Sequence, residues 1–217
     1  MILGIYGAHG LAQEVNIIAT KINEIEHRWT EIIYIDDINN LKEIDGQRVM
    51  RINDIVKLYE ELEVTIAVGE PMLRNKLYER VKALNISLPI LVHPGVYIDT
   101  TTKLGRGVTI CEGVTITCNV SIGDNTFVHP HAVIGHDIKV GKHCVIGSNS
   151  QIGGASVLGD NVYMGFLSGV KEKISIGNDV ICSAGAIVFR NLPDNVIAMG
   201  NPARIIRKND EKKVFKS

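Results

Sequence analysis

The chain has 217 residues, with 23 Lys and Arg against 24 Asp and Glu and only 5% aromatic residues. A net charge of -1 excludes the basic footprint of a nucleic-acid binder, and so few rings leave little for bases to stack on. The length suffices for one or two domains, each able to bury a core.

The opening MILGIYGAHG has no basic n-region or small-residue cleavage site, so it reads as a strand and not as a signal peptide. No uncharged apolar run reaches the roughly 18 residues of a membrane helix, and the expectation is a cytoplasmic protein. Residues 2–6 form the predicted first strand, Gly7 to Gly10 a turn, and Leu11 to Asn23 a helix with Val15, Ile18, Ala19 and Ile22 on one face. A second strand is expected at 32–36, a helix capped by Asn53 or Asp54 and running to Leu62, a third strand at 64–69 and a helix at 71–85. Alternating strands and helices imply a small parallel α/β sheet over 1–90. Its ligand crevice would lie at the carboxyl ends of the strands, where the Gly turn and Asp36-Asp37 fall. The turn reads GAHGLA, with His9 where a dinucleotide fingerprint needs its second Gly, so NAD is not expected. The turn still suits an anion such as a nucleotide diphosphate. It also suits a plain tight turn, and spacing does not separate the two.

From Val92 onward an apolar residue recurs every six: Ile98, Leu104, Ile110, Ile116, Ile122, Val128, Ile134, Val140, Ile146, Ile152, Leu158, Met164, Val170, Ile176, Cys182 and Val188. Gly follows many of these anchors. Period six fits neither a helix nor simple strand alternation, but it fits a parallel β-helix whose short strands turn at corners built from Gly, Asn and Asp. The pattern resembles the hexapeptide-repeat acyltransferases, which implies a left-handed prism with three hexapeptides per coil, residues eighteen apart stacked at about 4.8 Å, and assembly as trimers. The prism domain is assigned to 91–217. Cys111, Cys118, Cys144 and Cys182 lie far apart without a CxxC pair, as expected of buried free thiols.

His136, followed by Asp137, is the third residue of the hexapeptide starting at Ile134, near a corner where its side chain can point outward. Acetyl transfer to an amine or hydroxyl requires a base near neutral pH, a role imidazole suits, and an adjacent acid can hold the ring. Neighbours on an extended strand point opposite ways, so the pairing requires a bend between His136 and Asp137. The same corner elsewhere holds Lys142, Asp160 and Asn178, so surface decoration is the alternative on pattern alone. One coil above His136 stands Gly154, whose uncovered amide could serve a developing oxyanion. His129, His131, His136 and His143 raise a metal site, as in the γ-class carbonic anhydrases, but no second carboxylate pattern supports it.

IYGAxGxxxEV, the Asp-Asp strand end, Gly69 with Arg74 five residues later, and the prism together resemble the sialic-acid O-acetyltransferase and nucleotide-sugar N-acetyltransferase family, the NeuD and PglD type. The resemblance covers essentially the whole chain. It implies that Gly7, Ala8, His9, Gly10, Asp36, Asp37, Gly69 and Arg74 contact the nucleotide-linked substrate. It makes His136 the base and Asp137 its partner, and it places the acetyl carbonyl of acetyl-CoA at Gly154. It also makes Gly200, Asn201, Pro202, Ala203 and Arg204 the loop along which coenzyme A lies, with Arg207 and Lys208 as further basic residues. Three positions depart from the family: Leu11 and Val145 stand where His is frequent or expected, and Glu70 where Asn is frequent. The expectation is a metal-free, trimeric N-acetyltransferase for a nucleotide-linked 4-amino sugar, in the synthesis of surface polysaccharide or glycoprotein glycans. Sialic-acid O-acetylation and a non-catalytic scaffold are the alternatives. Which nucleotide and which sugar are not legible.

Overall fold

The computed structural model describes residues 1–215. The first third is a parallel sheet in which β1 (Ile2–Tyr6) lies between β2 (Glu31–Ile35) and β5 (Leu62–Ile66). A hairpin of β3 (Glu43–Ile44) and β4 (Gln47–Met50) extends the sheet beyond β2. The expectation missed this hairpin, although Asp45-Gly46, with φ of 50° and 79°, is the dipeptide such turns demand. Helix α1 (Gly10–Glu26) runs three residues past its expected end, and α3 spans Pro71–Ala83. Helix α2 (Ile52–Leu58) begins and ends earlier than expected. The earlier start has a tertiary cause: the Asp37 carboxylate, just past the end of β2, accepts the Ile52 N–H at 3.0 Å and caps the helix.

From Lys103 to Val188 a two-residue strand recurs every six residues, and residues eighteen apart pair in register, as Val133 does with Gln151 and Ile134 with Ile152. The strands form three parallel faces around a core that includes Ile110, Val128, Ile134, Ile146, Met164 and Cys182. The corners refine the expected role of Gly. The left-handed residue is the third after each anchor, among them Asn119, Asn125, Asp137, Asn149 and Asn161, with φ of 56–58°. The Gly next to the anchor serves close stacking instead, because a Cβ on Gly141 would lie 2.3 Å from the Gly159 carbonyl oxygen. Cys111, Cys144 and Cys182 are buried thiols, but Cys118 is exposed.

The α/β unit sits on the prism face that carries Thr109–Ile110, Phe127–Val128 and Val145–Ile146. Phe127, Leu91 and Cys111 share one core with Leu3, Ile5, Ala12 and Val15. Arg74 ties the units together. It is fully buried and donates to the carbonyls of Ile66 (2.7 Å), Val68 (3.0 Å) and Asn125 (2.7 and 3.0 Å).

Candidate active site

His136 follows the strand Val133–Ile134 and Gly135, at the corner away from the face that carries the α/β unit. Asp137 has φ of 58°, the bend that sequence alone required, and its carboxylate turns back to meet the imidazole. His136 Nδ1 stands 2.8 Å from Asp137 Oδ2. A carboxylate only accepts, so Nδ1 carries the proton and Nε2 is the free base. Asn119, eighteen residues earlier, donates from Nδ2 to the other carboxylate oxygen at 3.0 Å. These bonds, first from His136 and then from Asn119, hold Asp137 below the ordinary carboxylate range. Asn119 was not among the expected site residues, although the eighteen-residue stacking pointed to it.

The imidazole lies against Gly154: a Cβ built there would stand 2.5 Å from His136 Nε2 and 2.7 Å from Cε1. Only Gly leaves room for the ring. Among the described residues the Gly154 amide donates to no backbone carbonyl. An imidazole nitrogen and an uncommitted N–H therefore adjoin, and the His136 side chain is 62% exposed, open to solvent.

The other histidines have separate surroundings. His143 is buried; its Nδ1 accepts from Asn125 Nδ2 at 3.0 Å and its ring packs edge-on against Tyr78. Burial first, and then the Arg74 charge, pull it down to about 4, so it is a neutral structural residue. His129 is pulled down to about 4 for the same reasons and lines a cleft with Leu11, Gly69, Val145 and Tyr163. Among the described residues no three His, Cys, Asp or Glu converge as a metal site.

In the α/β unit the Gly7–Gly10 turn, Asp36 and Gly69 all lie at the carboxyl ends of strands. Gly7 has φ of 143°, and a Cβ there would meet the Ala67 carbonyl oxygen at 2.6 Å. Ala8 is buried, while His9 and Gly10 are exposed at the start of α1. Asp36 lines a cleft of about 470 Å³ with Asn39, Met50 and Arg51. Burial alone would raise this acid, but bonds from the Asn39 side chain and the amides of Ile38 and Asn39 outweigh it and hold it low. The second cleft, of about 320 Å³, lies between the turn and the prism.

Two of the expected substrate contacts are engaged within the fold. Asp37 is committed to Tyr6 Oη, Arg80 and the Ile52 amide. Arg74 has no exposed surface and spends its donors on carbonyls of the domain junction. Both are struts. Residues that sequence reasoning missed, Glu14, His129, Tyr163 and Phe215, meet Leu11, Gly69 and Val145 at the second cleft, because only the docking of the two units brings them together. At the far end, the Gly200 carbonyl accepts the Ile187 N–H and the Ala203 N–H returns to the Ile187 carbonyl, so Gly200-Asn201-Pro202-Ala203 continues the prism wall. Among the described residues the exposed Arg204 and Arg207 donate only to backbone carbonyls, those of Ala203 and Lys208.

Comparison with known proteins follows this division. Residues 3–81 match the PglD N-terminal domain, and residues 119–154 match the bacterial transferase hexapeptide (six repeats). The chain belongs to the NeuD/PglD-type hexapeptide-repeat acyltransferases. The prism is accordingly a left-handed parallel β-helix. Among solved members of this family, PerB from Caulobacter crescentus, in complex with CoA and GDP-perosamine, is 29% identical. The match covers 94% of this chain and 96% of that one, with a TM-score of 0.84. A histidine-to-asparagine variant of perosamine N-acetyltransferase from Caulobacter crescentus, also with CoA and GDP-perosamine, is 28% identical over 95% of this chain and 97% of that one, with a TM-score of 0.87. The acetyltransferase domain of PglB from Neisseria gonorrhoeae, in complex with acetyl coenzyme A, shares the fold at 22% identity, over 94% of this chain and 98% of that one, with a TM-score of 0.87. The Saccharomyces cerevisiae protein YJL218W is 46% identical over 39 residues; the match spans 18% of this chain and only a fifth of that protein.

Proposed function

We propose that the chain transfers the acetyl group of acetyl-CoA to the amino group of a nucleotide-linked 4-amino deoxysugar. The observation that carries this reading is the His136-Asp137 pair lying on the open amide of Gly154, in a fold shared with PerB, which holds CoA and GDP-perosamine. His136 Nε2 takes the proton as the amine attacks the thioester carbonyl. The Gly154 N–H donates to the oxyanion, and Asp137 stabilises the imidazolium that forms. The tetrahedral intermediate collapses to the amide and releases the CoA thiol. Arg204 and Arg207 suit the phosphates of CoA.

The two clefts flank the Gly7–Gly10 turn and suit a nucleotide sugar, the nucleoside beside Asp36, the pyrophosphate over the turn and the sugar beside Gly69. Neither cleft contains His136, which supports assembly of the site between chains. A homotrimer meets this need, and Phe166, Leu167 and Phe189 are apolar side chains exposed on the prism for such contacts. Among the described residues no helix is long and apolar enough to cross a membrane, and we place the reaction in the cytoplasm, where acetyl-CoA is made. The test is thiol release from acetyl-CoA with UDP-, dTDP- and GDP-linked 4-amino sugars and with free and CMP-linked sialic acids. One amino sugar should respond, and His136→Ala should lose roughly 100- to 10,000-fold. Release with sialic acids alone would replace the amine by a hydroxyl as acceptor.

A further inference from the structure

The cleft between the turn and the prism is walled on one side by chain outside the regular elements of either unit. Beyond the strand Arg204–Lys208 the chain doubles back, and four attachments hold it. Asn209 is buried and donates to the Asp179 carbonyl at 2.9 Å. Lys212 Nζ pairs with the Asp179 carboxylate at 2.8 Å. The amides of Val214 and Phe215 both donate to the Glu70 carboxylate, at 2.9 and 3.1 Å. The Phe215 ring then lies edge-on to Tyr163, with centroids 5.8 Å apart, and its Cε2 comes within 3.6 Å of where a Gly69 Cβ would stand. Gly69 follows β5, so the ring rests on the crevice edge of the sheet.

Glu70 gains a clear purpose. It precedes α3 without capping it through its side chain, and instead grips two amides more than 140 residues away. A carboxylate that accepts two backbone N–H groups is a strong anchor, and a segment merely fraying at the surface would not be held this way. The anchored ring changes the chemistry of the cleft. Leu11, Val145, Phe215 and the Tyr163 ring give apolar walls, with His129, Glu14 and the Tyr163 hydroxyl as its polar groups.

We propose that residues 212–215 form a strap, anchored by Glu70, whose Phe215 completes the sugar subsite and favours an acceptor that presents a methyl group, not a hydroxyl, to Leu11, Val145 and Phe215. A hydroxyl against these side chains would lose water without gaining a partner. This inference rests on the nucleotide-sugar reading above. Phe215 would meet the acceptor and Glu70 only holds Phe215 in place, and neither takes part in the proton or acetyl transfer proposed above, so they act on acceptor binding and not on the chemical step.

The experiment compares wild type, Phe215→Ala and Glu70→Gln with a nucleotide-linked 4-amino-4,6-dideoxyhexose and its 6-hydroxyl counterpart. Both variants should raise KM for the dideoxy sugar by roughly tenfold, about 1.4 kcal/mol, and narrow the preference over the 6-hydroxyl sugar. KM for acetyl-CoA and the melting temperature should stay unchanged. An unchanged sugar KM overturns the proposal. So does a fall in KM, which would make the segment an obstruction. Hydrogen exchange at the Val214 and Phe215 amides reads the anchor without any substrate: slow exchange in wild type that speeds up in Glu70→Gln is expected, and free-chain exchange in wild type overturns the strap. If no nucleotide sugar reacts while these amides are protected and Glu70→Gln frees them, the functional reading has failed and the anchor has not.

Discussion

The role proposed for His136 depends on neighbours that carry no chemistry of their own. Asp137 reaches its partner because its backbone adopts the left-handed conformation at the corner, and Asn119 holds its second oxygen. Gly154 is required for space, since its own backbone does not demand Gly, and the three atoms nearest to a Cβ there all belong to the His136 ring. Gly154→Ala should therefore fold normally, with a near-native melting curve, and lose roughly 100-fold in kcat by displacing the base. His143 carries a pH prediction. Its folded pKa of about 4 lies below the ordinary 6.5, so the unfolded chain takes the proton first as the solution is acidified. The stability tied to a neutral His143 is present above about pH 6.5 and is lost as pH falls toward 4. In His143→Asn the fall in melting temperature between these values should be shallower than in wild type, with His129, shifted the same way, supplying the remainder.

The two kinds of element differ in what they demand of their residues. The prism repeats a local rule: an inward aliphatic, a close-stacking Gly, and three residues after the anchor a left-handed corner at which Asn, Asp and Gly together are the commonest residues. Every coil restates that rule, so the repeat was legible without reference to anything distant. The α/β elements obey more than their own periodicity. Helix α2 starts at Ile52 because Asp37 caps it across the sheet, and no pattern within 52–58 reveals that. Arg74 marks the junction between the elements. Arg74→Met would leave the carbonyls of Ile66, Val68 and Asn125 without their buried donor, a loss on the order of 3–5 kcal/mol. Calorimetry of this variant should show the α/β unit melting first, apart from a prism transition that stays close to that of wild type.

At the scale of the molecule, His136 and the two clefts lie at different places on one chain, and the proposed trimer brings them together. Mixed assembly tests this. A His136→Ala chain and a chain whose turn is blocked by Gly7→Val, where a Cβ would strike the Ala67 carbonyl, should each be inactive alone. Co-expressed, they should regain about a quarter of the wild-type sites if chains mix at random; no recovery would place the whole site within one chain. The coil, its period, the α/β unit before it and the His136, Asp137 and Gly154 cluster are legible in the order of residues alone, because hexapeptide stacking converts a spacing of eighteen into contact. Three features emerge only from the folded chain: Asp37 and Arg74 brace the fold, Glu70 holds the chain near Phe215, and Leu11, His129, Val145 and Tyr163 share one cleft. Those contacts join segments that follow different rhythms, and where two rhythms meet depends on how the folded units dock.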